Sequence, residues 1–287
     1  MNRLNSETRV RVIRCLVDGN SIRTTARITG TAKNTITKFL VEAGSVCSEY
    51  QDRVFRNLCC RRVRCDAVWS FVGAKDKNVS APKRDQFGIG SVWTWTAIDD
   101  DSKLVPCWMV GTRDVGCATE FIQYLAGRLA HRVQLTTGGH MPYLTAVEDA
   151  FGGDIDYAML VKLYGADQGE EKRYSTTGWI GCRETAIMGD PDPQHISTPC
   201  VEHQDLTIRM SMRRFTCLTN ALSKKLENHI AALGLNLMYY NFVRIQQRLR
   251  VSPAMAAGVT SKLWSVYDIV ALIERHEAEA RGVEESN

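Results

Sequence analysis

Glu202 opens a stretch whose residue types could do chemistry. After it come Arg209, Arg213, Arg214, Lys224 and Lys225, with no acid beyond Asp205 until Glu227. Val201 to Lys225 holds no Gly or Pro and is rich in Leu, Met, Arg and Lys, so its first half reads as helix. On a helix a seven-residue step returns to nearly the same face, about 10 Å further along. Arg209 then lines up with Glu202, and Arg213 follows one turn beyond. A carboxylate at the end of a cationic stripe suits metal-dependent phosphoryl transfer on DNA, the acid holding the ion and the arginines the phosphates. A solvated basic face on a surface helix has the same pattern, so both readings stand on this stretch alone.

Asp66 is the second candidate. It sits in the middle of Val63–Val72, which alternates as a strand, among Val, Cys, Trp and Phe. A carboxylate there is costly to bury unless it is paired or metal-bound. The triplet Asp99-Asp100-Asp101 looks like a metal site too, but it falls between two expected strands, where Asp is favoured for local hydrogen bonding. It is expected to be a plain hairpin turn. The ten cysteines include no C-x-x-C pair. They read as reduced, mostly buried thiols.

These residues need elements to position them, and composition bounds what those are. The 287 residues suffice for one small and one large domain. No apolar run approaches the roughly 20 residues of a membrane span, and no signal-peptide pattern opens the chain, so a cytoplasmic protein is expected. The net charge of +4 is segregated: residues 1–64 carry +8 and 206–250 carry +7, leaving −11 elsewhere. Two basic segments around an acidic centre suit a protein that grips a polyanion at two places.

Residues 1–45 read as three helices. Val10, Ile13 and Val17 stripe the first, Ser21 caps a short second, and Gly30 makes the turn. Thr31 is expected to cap a third helix from about 32 to 43. This is a helix-turn-helix pattern whose outward face offers Lys33, Asn34, Thr37 and Lys38 to phosphates or base edges. A three-helix protein-interaction module would read similarly. Residues 46–61 read as a basic linker. Beyond it, strands are expected at 63–72, 91–98, 104–110, 133–136 and 155–163, with helices at 118–129 and 142–151. Residues 165–200 read as an irregular insertion, and 226–245 as a long apolar helix. After residue 251 come a last helix and an acidic tail, frayed from Glu274 onward. Three strands, helix, strand, helix, strand and an acid-bearing helix is the order of an RNase H-like α/β fold. The expected architecture is therefore a mixed sheet with flanking helices over 62–250, preceded by a small all-α domain.

Long segments in consistent order carry a resemblance. GNSIRTTARITGTAKNTITKFL, CDAVWSF, VWTWTAID, LTTGGH, DYAMLVKLYG, RMSMRRFTCLTNALSKKLENH, MYYNF and SPAMAAGV together resemble insertion-sequence-one family transposases, which are DDE enzymes with an RNase H-like catalytic domain. The resemblance implies Mg²⁺ or Mn²⁺ as cofactor, terminal inverted repeats and target DNA as double-stranded partners, and a homo-oligomer. It puts Asp66 at the first catalytic carboxylate and Glu202 at the last, both as metal ligands, with Arg209, Arg213 and Arg214 on phosphates. Where the family has its second Asp, this chain has Gly138. Ala67 and Gln246 also stand where relatives carry an acid and a histidine. A Gly offers no ligand, so the resemblance implies an impaired transposase. An inactive DNA-binding relic that inhibits or regulates transposition is the alternative. A ligand-controlled regulator would leave Asp66 and the basic stretch without a role.

Overall fold

The computed structural model describes residues 3–83, 86–164, 179–196, 212, 215 and 223–284. Helices α1 (Ser6–Val17) and α2 (Ile22–Thr29) start at side-chain caps, where Asn5 and Ser21 accept from the amides of Thr8 and Thr24. Gly30 ends α2 with φ +69°, a left-handed turn that glycine adopts without strain. Helix α3 (Lys33–Val54) begins without a side-chain cap. Thr31, expected to supply it, is buried, and Ala32 takes the capping position.

Residues 46–54 are not linker. They complete α3, a single helix of 22 residues. The apolar stripe Phe39, Leu40, Ala43 runs on through Val46, Cys47 and Gln51, all buried, and that packing sustains the helix. The segment between α3 and the first strand is also tied down. Leu58 donates its amide to the Arg128 carbonyl and accepts from the Ala130 amide, while buried Arg128 bonds the Phe55 carbonyl and pairs with Asp52.

The six strands are β1 (Arg62–Val72), β2 (Gly90–Asp99), β3 (Trp108–Gly111), β4 (Gln134–Gly138), β5 (Asp156–Tyr164) and β6 (Trp179–Met188), in the sheet order β3-β2-β1-β4-β5-β6. β1 is antiparallel to β2 and parallel to β4, so it sits where the sheet changes sense. β5 runs parallel to β4, and β6 antiparallel to β5. β6 lies inside the segment expected to be irregular. As an edge strand with most of its residues exposed it has no buried face, and so no apolar alternation to read. β3 starts later than expected because the Asn241 side chain brackets Val105, accepting from its amide at 3.0 Å and donating to its carbonyl at 3.1 Å. The Asp99–Asp101 turn is the expected hairpin turn, with Asp101 paired to Arg62 and Asp100 to Arg64.

One face of the sheet is covered by α4 (Val115–Ala126) and α5 (Pro142–Phe151), whose Phe121 and Tyr143 pack on buried Trp95. The other face meets α6 (Leu226–Met238), where His229 reaches Ser70. A five-residue π-helical turn, Tyr239–Val243, ends α6 earlier than the apolar run suggested. After a short α7 (Pro253–Ala256), α8 (Val266–Glu284) packs back on α1. Its acidic end is not frayed through Glu284, because buried Glu277 pairs with buried Arg9 at 2.8 Å. No described helix is long and apolar enough to cross a membrane.

α3 crosses α6 at two glycines. A Cβ on Gly44 would lie 2.3 Å from the Ala231 carbonyl oxygen, and one on Gly234 2.8 Å from the Gly44 oxygen. Backbone cannot yield as a side chain does, so Gly44→Ala is expected to lower stability by about 3 kcal/mol. Chemical denaturation checks this; an unchanged midpoint would mean the helices separate freely.

Candidate active-site cleft

Asp66 and Gly138 are brought side by side by strand register. The parallel ladder pairs Arg64 with Thr136 and Cys65 with Thr137. One step further along it stand Asp66 on β1 and Gly138, the last residue of β4. A Cβ built on Gly138 lies 3.7 Å from Asp66 Oδ1, an ordinary van der Waals contact. Gly138 is not among the residues with positive φ, so its backbone would accept any side chain. The site lies at the carboxyl end of β4, beside the strand where the sheet changes sense. Open α/β sheets characteristically hold their ligands at such places.

A cleft of about 250 Å³ opens there, lined among others by Asp66, Arg113, Gly138, His140 and Tyr143. Asp66 is half-buried, and its Oδ1 accepts the Ala67 amide at 2.7 Å. β4 is anchored by Thr137, whose hydroxyl lies 2.8 Å from the Tyr157 hydroxyl. Tyr143 is buried, and burial pushes its phenol well above the ordinary range. His140 packs against Trp95 and Tyr143, tilted to the first and edge-on to the second, with ring centroids 5.7 and 5.9 Å away. Burial, and then the nearby Arg113 guanidinium, hold its imidazole below the usual histidine value. Both His140 Nε2 and the Tyr143 hydroxyl are buried without a hydrogen-bond partner among the described residues.

The cleft presents one described carboxylate where two would be adjacent. Among the described residues no group of three or more His, Cys, Asp or Glu could hold a metal ion. Glu202, Arg209, Arg213 and Arg214 lie outside the described residues. Sequence reasoning passed over Arg113, Thr137 and Tyr143. Arg113 follows the end of β3, Thr137 sits on β4 one residue before Gly138, and Tyr143 lies in the first turn of α5, and no local motif reports their convergence.

A larger groove, about 780 Å³, lies around the amino-terminal end of β1, with Arg61, Arg62, Asp99, Asp101, Asp192 and His195 in its lining. Its polar lining is already engaged internally, through the Arg62–Asp101 ion pair and a 2.6 Å contact between His195 Nδ1 and Asp192. It is the weaker candidate for that reason.

At the far end of α3, Lys33, Asn34 and Lys38 are exposed. Thr37 is half-buried, and its hydroxyl donates to the Lys33 carbonyl at 3.0 Å, which spends its donor on the helix itself. Arg23 and Arg27 of α2 are also exposed. No family model matches the chain, and no curated protein matches it.

The direction of the His140 shift fixes a pH behaviour. The folded state resists the proton that the unfolded chain accepts near the ordinary value of about 6.5. Stability is therefore expected to fall as pH drops through that value, and His140→Gln should flatten the fall. In an NMR titration Arg113→Ala should raise the His140 midpoint; an unmoved midpoint would mean the guanidinium does not act on it.

Proposed function

We propose that this chain is a DNA transposase of the DDE type, built to bind the ends of its element and impaired in DNA cleavage and strand transfer at Gly138. The observation that carries the reading is the 3.7 Å approach of a residue-138 Cβ to Asp66 Oδ1. Two carboxylates at these positions would share one cation site, the geometry that two-metal phosphoryl transfer requires. The element order from β1 to β5 agrees with an RNase H-like catalytic domain. The α1–α3 unit, with its left-handed Gly30 and exposed Lys33, Asn34 and Lys38, supports helix-turn-helix binding to double-stranded DNA. Joining two ends calls for more than one subunit, so a homo-oligomer belongs to the proposal.

Mg²⁺ or Mn²⁺ is the cofactor this reading implies, and the residues at the described site do not complete its coordination. Asp66 supplies a carboxylate and Gly138 supplies nothing. His140 is no substitute, since imidazole is a poor ligand for Mg²⁺. What the chain's own groups retain is binding: lysines for phosphates at α3, and Arg113 beside the cleft for a phosphate or a departing oxyanion.

The decisive experiment compares this chain with Gly138→Asp in cleavage and strand transfer on a duplex carrying the inverted repeat, with Mg²⁺ and with Mn²⁺. The substituted protein is expected to gain several orders of magnitude in rate. Activity already present in the unsubstituted chain would overturn the role given to Gly138. Gly138 also favours a second reading, a DNA-binding inhibitor of active relatives. Inactivity of both proteins with intact end binding would select that one. Lys33→Ala combined with Lys38→Ala should weaken end binding and reduce the salt dependence by about two ions, measured as the slope of log affinity against log salt. An unchanged slope would remove this helix face from the interface.

A further inference from the structure

Beside the cleft the sheet carries an aromatic pair that the proposed chemistry does not use. Trp69 on β1 and Trp93 on β2 stand directly opposite each other, so both rings lie on one face of the sheet, and both are half-buried. Alternation puts them on the same face as Ala67 and Trp95, the face opposite to the one Asp66 shares with Val68 and Ser70. Trp95 is fully buried against Phe121 of α4 and Tyr143 of α5, while the other two keep part of their surface open to solvent. Ala67 lines the cleft, and Trp69 lies two residues further along the same strand, about 7 Å away.

The pair is held in place and flanked by cations. Trp69 Nε1 donates to Ser91 Oγ at 2.8 Å, and the Ser91 amide donates to Asp76 at 2.7 Å. That chain fixes the indole before any ligand arrives, so little side-chain freedom is lost on contact. The Arg113 guanidinium lies 4.5 Å from the Trp93 ring centroid, and Lys75 lies 5.6 Å from that of Phe71, the neighbour of Trp69. Arg113 belongs both to this patch and to the cleft lining. An apolar partner would leave these cations without a role, and an acidic peptide would not use the paired ring faces. Flat stacking surfaces combined with cations match a strand of unpaired nucleotides.

We propose that Trp69, Trp93 and Arg113 form a stacking platform for single-stranded DNA passing the side of the cleft lined by Ala67 and Arg113. The platform rests on the proposed DNA function for its choice of ligand, and its test is independent of catalysis. The full-length protein is titrated into a fluorescein-labelled oligothymidylate of about a dozen nucleotides at low salt, followed by anisotropy and by quenching of tryptophan emission. Trp93→Ala and Arg113→Ala are each expected to weaken binding about tenfold. Trp93→Phe keeps a stacking face and should retain most of the affinity, which separates a lost platform from a damaged fold. Equal binding by Trp93→Ala, or no binding by the unsubstituted protein, would overturn the platform whatever the cleavage assay gives. If oligothymidylate binding meets these expectations while Gly138→Asp stays inactive and end duplex is not bound, the platform stands and the transposase reading falls.

Discussion

Helix α3 meets α6 backbone to backbone, and the rest of the chain is arranged by that contact. Gly44 and Gly234 remove the side chains that would otherwise hold two helices 8–10 Å apart. Where they cross, a buried polar set closes the junction. Gln51 donates to the Gly234 carbonyl and accepts from Asn241, and Asn241 brackets Val105. Such a network is worth keeping only when every member is satisfied, and here the three segments satisfy one another. The result is that α3 carries its exposed lysines on a rod of about 33 Å, with its far half locked against the element that backs β1. The amino-terminal helices share one continuous core with the sheet. A hinge between the two ends of the molecule is not what this junction provides.

Within the sheet, β1 is the strand on which two kinds of order meet. Its antiparallel partner β2 sets the long alternating ladder that displays the tryptophans, and its parallel partner β4 stops at Gly138. Because β4 ends while β1 continues, the sheet opens at that point into a cleft. Local chemistry there comes from burial, which holds the His140 imidazole below its usual value and pushes the Tyr143 phenol well above its own, and from one carboxylate that accepts the amide of the residue after it. On the proposed reading these groups are the surroundings of a metal clamp lacking one jaw.

Much of this was legible in the sequence, for reasons that can be named. α4 announces itself because it buries one face, so period 3.6 is written in its apolar residues, and β1 because it is a run rich in Val, Trp and Phe, residues that favour strands. The Asp99–Asp101 turn was readable because Asp bonds its own neighbours. β6 was not, since an exposed edge strand has no apolar alternation, and neither was the second half of α3, where Ser48, Glu49, Gln51, Asp52 and Arg53 masked a buried stripe. The late start of β3 depends on Asn241, more than a hundred residues away, and no local pattern reports such a partner. Asp66 stood out as a carboxylate in an apolar strand. That position 138 is its neighbour comes only from register, a property of two strands together. Arg113 carried no signal at all, because its role comes from where β3 happens to end.

The empty position beside Asp66 has a thermodynamic side as well. Two carboxylates a few ångströms apart repel, and a fold that holds them together without a cation is strained by that repulsion. With glycine there, the folded chain is relieved of it and no longer depends on an ion to offset it. On the proposed reading, loss of the ligand and gain in cation-independent stability arrive in a single substitution, which is the usual direction of exchange between a working site and a comfortable fold.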